Sequence, residues 1–234
     1  MTRHIVSSFD EELQGIAARL AEMGGLAEQQ LGQALEAVRL RDAEIAQRVI
    51  DSDRALDQMD QKLEESAIQM LALRQPMARD LREIVAALKI SSTLERVGDL
   101  AKNIAKRAQL VIEGQPLKVT NSIVRMGKLS QNLLAEVLDA YTSRDTAMAV
   151  QVWKRDVEID EMYNSIFREL TTYMMEDPRV ISLCSQLLFV AKNLERIGDH
   201  ATFIAEMTYF VVEGEPLGDD RPKGDPLGEL PIHG

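Results

Sequence analysis

The chain carries one six-residue phrase twice, 100 residues apart. Leu94-Glu95-Arg96-Val97-Gly98-Asp99 returns as Leu194-Glu195-Arg196-Ile197-Gly198-Asp199, with only Val and Ile exchanged. The same shift carries Glu113-Gly114-Gln115-Pro116-Leu117 onto Glu213-Gly214-Glu215-Pro216-Leu217. Farther upstream the shift is 103. It pairs Met23-Gly24 with Met126-Gly127, Arg41-Asp42 with Arg144-Asp145, and Asp53, Asp57 and Met59 with Asp156, Asp160 and Met162. The change of register places a three-residue length difference between about 60 and 86, near Pro76. A repeat this long is a duplicated supersecondary unit, so the molecule should be two similar halves.

What each half can be follows from the breaks. Pro76, Pro116 and Pro178 separate long stretches with a 3.6-residue apolar period, and the other four prolines fall in the last twenty residues. None interrupts a helical pattern, as helix interiors require. The periodicity predicts six helices near 9–40, 42–73, 79–112, 119–142, 145–176 and 179–212. Asp42 and Asp145 stand where the second helix of each half begins, and Asp is a good N-cap. Helices of this length, about 45 Å, joined by short connections must run antiparallel. The expected fold is therefore all-α: two tandem three-helix bundles, each up-down-up, over 1–115 and 116–213. The stretch 214–234, with five Gly and four Pro, is expected to be a mobile tail.

Composition narrows the function. Aromatics are 4% of residues, so the core must be mainly aliphatic. A net charge of −11 speaks against nucleic acid, whose binding needs a basic face, and against an anionic lipid surface. No apolar run approaches the ~20 residues of a membrane span, and no signal-peptide pattern opens the chain. The single Cys184, on an apolar helix face, reads as a buried inert thiol in a reducing compartment. A cytoplasmic protein is expected.

The acidic residues repeat with a purpose. Glu95 and Asp99, Glu195 and Asp199, Asp53 and Asp57, and Asp156 and Asp160 are each four residues apart. On a helix such pairs share one face and repel, costing roughly 0.2–0.5 kcal/mol each. Four of them in two matched sets call for a positive partner. Glu95 and Asp99 continue the stripe of Leu81, Ile84, Val85 and Leu88, so they should leave the core toward the second helix, where four carboxylates would converge per half. Three outcomes stay open. The sets bind hard cations through oxygen, or pair with arginine, for which Arg96 and Arg196 are candidates, or line a solvated edge. Asp60 and Glu64 extend the first row, but their counterparts Tyr163 and Phe167 suggest an accessory or exposed role.

Other chemistry is poorly provided for. No histidine has Glu three residues before it, as di-iron bundles use, and neither a phosphate-binding glycine loop nor a His-containing nucleophile triad appears. His200 has Leu100 as its counterpart and Trp153 has Ile50, which favours partly buried and core roles. Gly98 and Gly198, inside helices at a cost of about 0.8–1.0 kcal/mol each, imply that another backbone or a bulky ligand shell comes close. Gly24 and Gly127 are expected to mark bends.

The doubled Leu-Glu-Arg-Val/Ile-Gly-Asp, Met23-Gly24-Gly25-Leu26, Gln29-Gln30-Leu31, Arg74-Gln75-Pro76 with Asp80-Leu81-Arg82, and Tyr173-Met174-Met175-Glu176-Asp177 together resemble the PhoU family of phosphate-specific transport system accessory proteins. The resemblance covers about residues 5–213. It implies two three-helix bundles in a cytoplasmic protein, often a homodimer, with no catalysis of its own. It also implies a negative regulator of phosphate uptake and of the phosphate-starvation response, linking the ATPase subunit of the phosphate ABC transporter to a sensor histidine kinase. Some members hold multinuclear metal clusters, divalent or iron-type, on Glu/Asp-x-x-x-Asp motifs. Those motifs fall here on Asp53/Asp57, Glu95/Asp99, Asp156/Asp160 and Glu195/Asp199, all intact.

Overall fold

Two aspartates start the second helix of each half. Asp42 is extended (φ −107°, ψ 110°) and its carboxylate accepts the Glu44 and Ile45 backbone N–H groups at 2.8 and 3.0 Å. Asp145 does the same for Met148 at 2.9 Å. The residue before each, Arg41 and Arg144, is left-handed with φ 57°, which turns the chain back on itself. A computed structural model describes residues 2–112 and 114–218, with side chains from residue 11 onward. Its helices are α1 (Thr2–Leu40), α2 (Ala43–Ser52), α3 (Arg54–Arg74), α4 (Ala78–Val111), α5 (Val119–Ser143), α6 (Thr146–Glu176) and α7 (Ile181–Glu213). A short 3-10 turn, Pro178–Val180, precedes α7.

The all-α fold in two halves is as the repeat predicts, and the described residues contain no strand. One difference concerns the second helix of the first half, expected whole over 42–73. Its hydrogen-bond ladder is interrupted at Asp53, whose backbone stays right-handed helical (φ −54°, ψ −43°), and this break separates α2 from α3. The cause is Gln30 of α1, whose side-chain amide donates to the Ser52 carbonyl at 3.1 Å. That carbonyl would otherwise accept the Leu56 N–H, which bonds instead to Asp53 at 3.1 Å, one residue closer. The counterpart of Gln30 is Leu133, which has no amide to offer, and α6 runs unbroken.

Helices α1 and α4 pack with α2 and α3, and α5 and α7 with α6. The halves join through α1 against α5 and α4 against α7. Their pairing is reciprocal. A Cβ on Gly24 would meet Leu138 at 2.8 Å, and one on Gly127 would meet Leu35 at 2.1 Å. Leu35 and Leu138 are themselves counterparts, so α1 and α5 cross antiparallel about a pseudo-twofold axis. Both helices continue through these glycines, whose contribution is room for a neighbour and not a break. A single buried cluster spans both halves, from Leu20 and Leu31 to Leu133 and Leu194. Each such leucine contributes roughly 1.5–3 kcal/mol.

Cys184 and Trp153 are buried in that core, and the Trp153 indole donates to Glu206 at 3.2 Å. Burial pushes the Cys184 thiol up, as suits an inert one. Of the expected tail, 214–218 is described: Gly214 caps α7 with φ 84° and Leu217 packs on the core. Residues 219–234 lie outside the described part. No helix among the described residues is long and apolar enough to cross a membrane.

Candidate functional site

The carboxylates of the first half gather between α3 and α4. Asp53 is buried at the α2–α3 break, Asp57 and Asp60 follow on α3, and Glu95 and Asp99 look across from α4. The charges that shift Glu95 are those of its acidic neighbours. Partial burial first, then Asp99, Asp57, Asp60 and Asp53, holds its carboxyl above the usual glutamate range. Asp60 belongs to the group more closely than its counterpart Tyr163 implied, since it accepts the Ser91 hydroxyl. Glu64 is exposed.

The cation in this half is a lysine, not Arg96. Lys102 Nζ bonds Asp99 at 2.7 Å and also Asp53, bridging the two helices. Burial works against its charge, but the hydrogen bonds to Asp53 and Asp99 outweigh that and raise its proton affinity. Arg96 and Arg196 are exposed, and their charges reach His200 instead. Burial first, then those two guanidiniums, pushes half-buried His200 down, so it is neutral at neutral pH.

In the second half the same four positions lie between α6 and α7. Asp156 is 2% exposed, and its Oδ1 leans over Gly198, 2.6 Å from where a Cβ would stand. The close approach that Gly198 allows is therefore a carboxylate, with Ile159 beside it at 2.8 Å. At Gly98 the neighbours are Leu56, counterpart of Ile159, at 2.5 Å and the Gln30 amide oxygen at 3.0 Å. Burial raises the Glu195 carboxyl, the hydrogen bond and charge of Lys192 oppose that, and Asp199 and Asp160 push it up again. Lys192 Nζ sits 2.7 Å from Glu195 and 5.2 Å from the Tyr163 ring centre.

In each half, acids of the second and third helices are near enough for their charges to act on one glutamate, Glu95 or Glu195, although Asp199 is exposed. Such all-oxygen sets suit hard cations, Mg²⁺, Mn²⁺, Ca²⁺ or iron. Among the described residues, no three carboxylate, imidazole or thiol groups stand close enough as placed to hold a metal ion. Two features distinguish the sets. The Gln30 amide oxygen, 2% exposed as a residue, has no hydrogen-bond donor and lies at the inner edge of the first set. In the second set, the missing Cβ of Gly198 leaves the space that the Asp156 carboxylate occupies. Lys102 and Gln30 are the residues that reading the sequence misses. An Asp99–Lys102 spacing of three, and a glutamine inside an apolar stripe, were the available signals.

Comparison with known proteins agrees with this architecture. The PhoU domain matches twice, over residues 20–108 and 123–208. A phosphate-specific transport system accessory protein PhoU homolog from Caulobacter vibrioides is 55% identical over 98% of this chain and 100% of its own. The crystal structure of PhoU from Pseudomonas aeruginosa superimposes with a TM-score of 0.86 at 38% identity, covering 88% of this chain and 100% of that one. That of the phosphate transport system regulatory protein PhoU from Streptococcus pneumoniae gives 0.84 at 30% identity over 90% and 99%. Two matched domains in one helical body, with relatives aligned from end to end, place this chain in the PhoU family.

Proposed function

We propose that the protein is a cytoplasmic, non-enzymatic negative regulator of phosphate uptake and of the phosphate-starvation response. It acts as an adaptor between the ATPase subunit of the phosphate ABC transporter and a sensor histidine kinase, as a homodimer. The observation that carries the reading is end-to-end similarity to a phosphate-specific transport system accessory protein. The test is removal of the gene. Cells grown in abundant phosphate should then keep the starvation response on, and the purified chain should retain the transporter's ATPase subunit on a column. Unchanged phosphate uptake together with no retention would refute the adaptor.

The carboxylates are proposed to hold divalent or iron-type cations: Asp53, Asp57, Glu95 and Asp99 in one half, and Asp156, Asp160, Glu195 and Asp199 in the other. A bound cation would supply positive charge that an anionic group, phosphate or a partner's carboxylate, can bridge. The protein's own share is to fix the oxygens on paired rigid helices. A cation bound only by the folded chain also stabilises the fold by linkage. Replacing Glu95, Asp99, Glu195 and Asp199 with Ala should lower the metal content of the purified protein. Unchanged content would remove these residues as ligands.

A further inference from the structure

We infer that the seam between α4 and α7 binds a tetrahedral oxyanion of phosphate type, gripped by Arg96 and Arg196 from either side with His200 as a third donor. The site is separate from the carboxylate sets and does not depend on the cation reading. It follows from the register of the two antiparallel helices. Arg82 of α4 lies against Gly214, 3.3 Å from where a Cβ would stand, and Arg107 stacks over the Phe189 ring, 4.1 Å from its centre. In that register Arg96 stands opposite His200, and Leu100 opposite Arg196. Gly98 and Gly198 meet at the centre, so each arginine sits two residues before it on its own helix. The two arginines are then four residues apart in level, about 6 Å along the seam. Packed helix axes are roughly 8–10 Å apart, a span that two long side chains can close around one ion.

Direction agrees with register. Arg96 is eleven residues before Arg107, and Arg196 and His200 are seven and eleven after Phe189. Such spacings return to within about 20° of the same face. Arg107 and Phe189 meet across one edge of the seam, where Arg107 also donates to Gln186 at 2.6 Å. Arg96, Arg196 and His200 therefore line that edge too, and the charges of both guanidiniums act on His200. Against them stands Asp199, whose charge acts on the ring in the opposite sense. Neither Arg96 nor Arg196 has a hydrogen bond or ion pair from its side chain to a described residue. Asp99, three residues after Arg96, is held by Lys102. Duplication thus sends the acids of the repeated phrase to two separate sets and brings its arginines to one edge. Each guanidinium offers a planar fork of N–H donors. A tetrahedral oxyanion has oxygens enough for two forks and an imidazole N–H, whereas a carboxylate has only two.

The full-length chain, kept in chelator so that no cation contributes, is titrated with inorganic phosphate by calorimetry at constant ionic strength. Saturable binding of one phosphate per chain is expected. Arg96→Met and Arg196→Met should each weaken it by about ten-fold or more, and the double variant should abolish it. His200→Leu should weaken it less than either. Arg168→Met, which removes an exposed charge on α6, should leave it unchanged. Circular dichroism confirms that each variant is folded. Phenyl phosphate separates the two sources of such a group: binding as tight as that of phosphate assigns the site to a phosphoryl group on a larger molecule, and exclusion assigns it to the free ion. Acetate should not compete. Equal affinity in the wild type and the double arginine variant, an equal loss from Arg168→Met, or competition by acetate as strong as that by phosphate would overturn the inference. So would a wild type that shows no saturable binding.

Discussion

The two halves share a scaffold and differ in how they manage charge. In the first, Gln30 reaches from α1 to the Ser52 carbonyl, breaks the second helix at Asp53, and brings that aspartate to Lys102 on α4. In the second, Leu133 fills the same place with hydrocarbon, α6 stays whole, and Asp156 lies over Gly198. The contrast teaches that duplication preserved the positions of the carboxylates more strictly than their surroundings. One half neutralises its acids from within, across two helices. In the other, a half-exposed lysine, Lys192, pairs with Glu195 from the same helix.

The largest effect should come from exchanging the residues that set the break. Leu133→Gln buries an amide where no free carbonyl awaits it, since α6 uses its own. Loss of about 3 kcal/mol of stability is expected in denaturant unfolding. The reverse exchange, Gln30→Leu, should change stability by no more than about 1 kcal/mol and join α2 to α3. A crystal structure of that variant with the break still at Asp53 would show that Gln30 is not its cause.

Next comes the bridge itself. Lys102→Met leaves buried Asp53 without its ammonium. In the chelated protein it should cost about 1–2 kcal/mol, between exposed and buried ion pairs. Removing the more exposed Lys192 in the same way should cost less. Equal losses from the two would erase the distinction between the halves.

The smallest effect is electrostatic and depends on pH. Glu95 has its proton affinity raised in the fold, by partial burial and then by its acidic neighbours. A raised carboxyl favours the folded state fully below the unfolded glutamate range, and that favour is lost as pH rises through the folded value. Glu95→Gln should therefore stabilise the chelated protein at neutral pH, by less than about 1 kcal/mol given its exposure. The gain should vanish on acidification below the ordinary glutamate range. Glu195→Gln should gain less, because Lys192 already supports that charge. Thermal melts of the two variants across pH 4–8 would sharpen or break this ordering.

Much of this was legible in the sequence, for physical reasons. Long 3.6-residue periods between prolines leave little freedom in the helix count, and Asp42 and Asp145 cap as their type and place suggest. The i, i+4 acids could be put on one face by geometry alone. What escaped depends on contacts between helices. Lys102 matters because Asp53, on another helix, comes to meet it. Gln30 matters through one carbonyl on another helix. Arg96 was the wrong cation because a residue next to Glu95 points about 100° away from it, which turned out to be solvent.

The most direct test of the account is anomalous diffraction from crystals of the full chain soaked in Mn²⁺. Peaks should lie between α3 and α4 among Asp53, Asp57, Glu95 and Asp99, and between α6 and α7 among Asp156, Asp160, Glu195 and Asp199. Peaks confined to other surfaces, or none at saturating Mn²⁺, would contradict it.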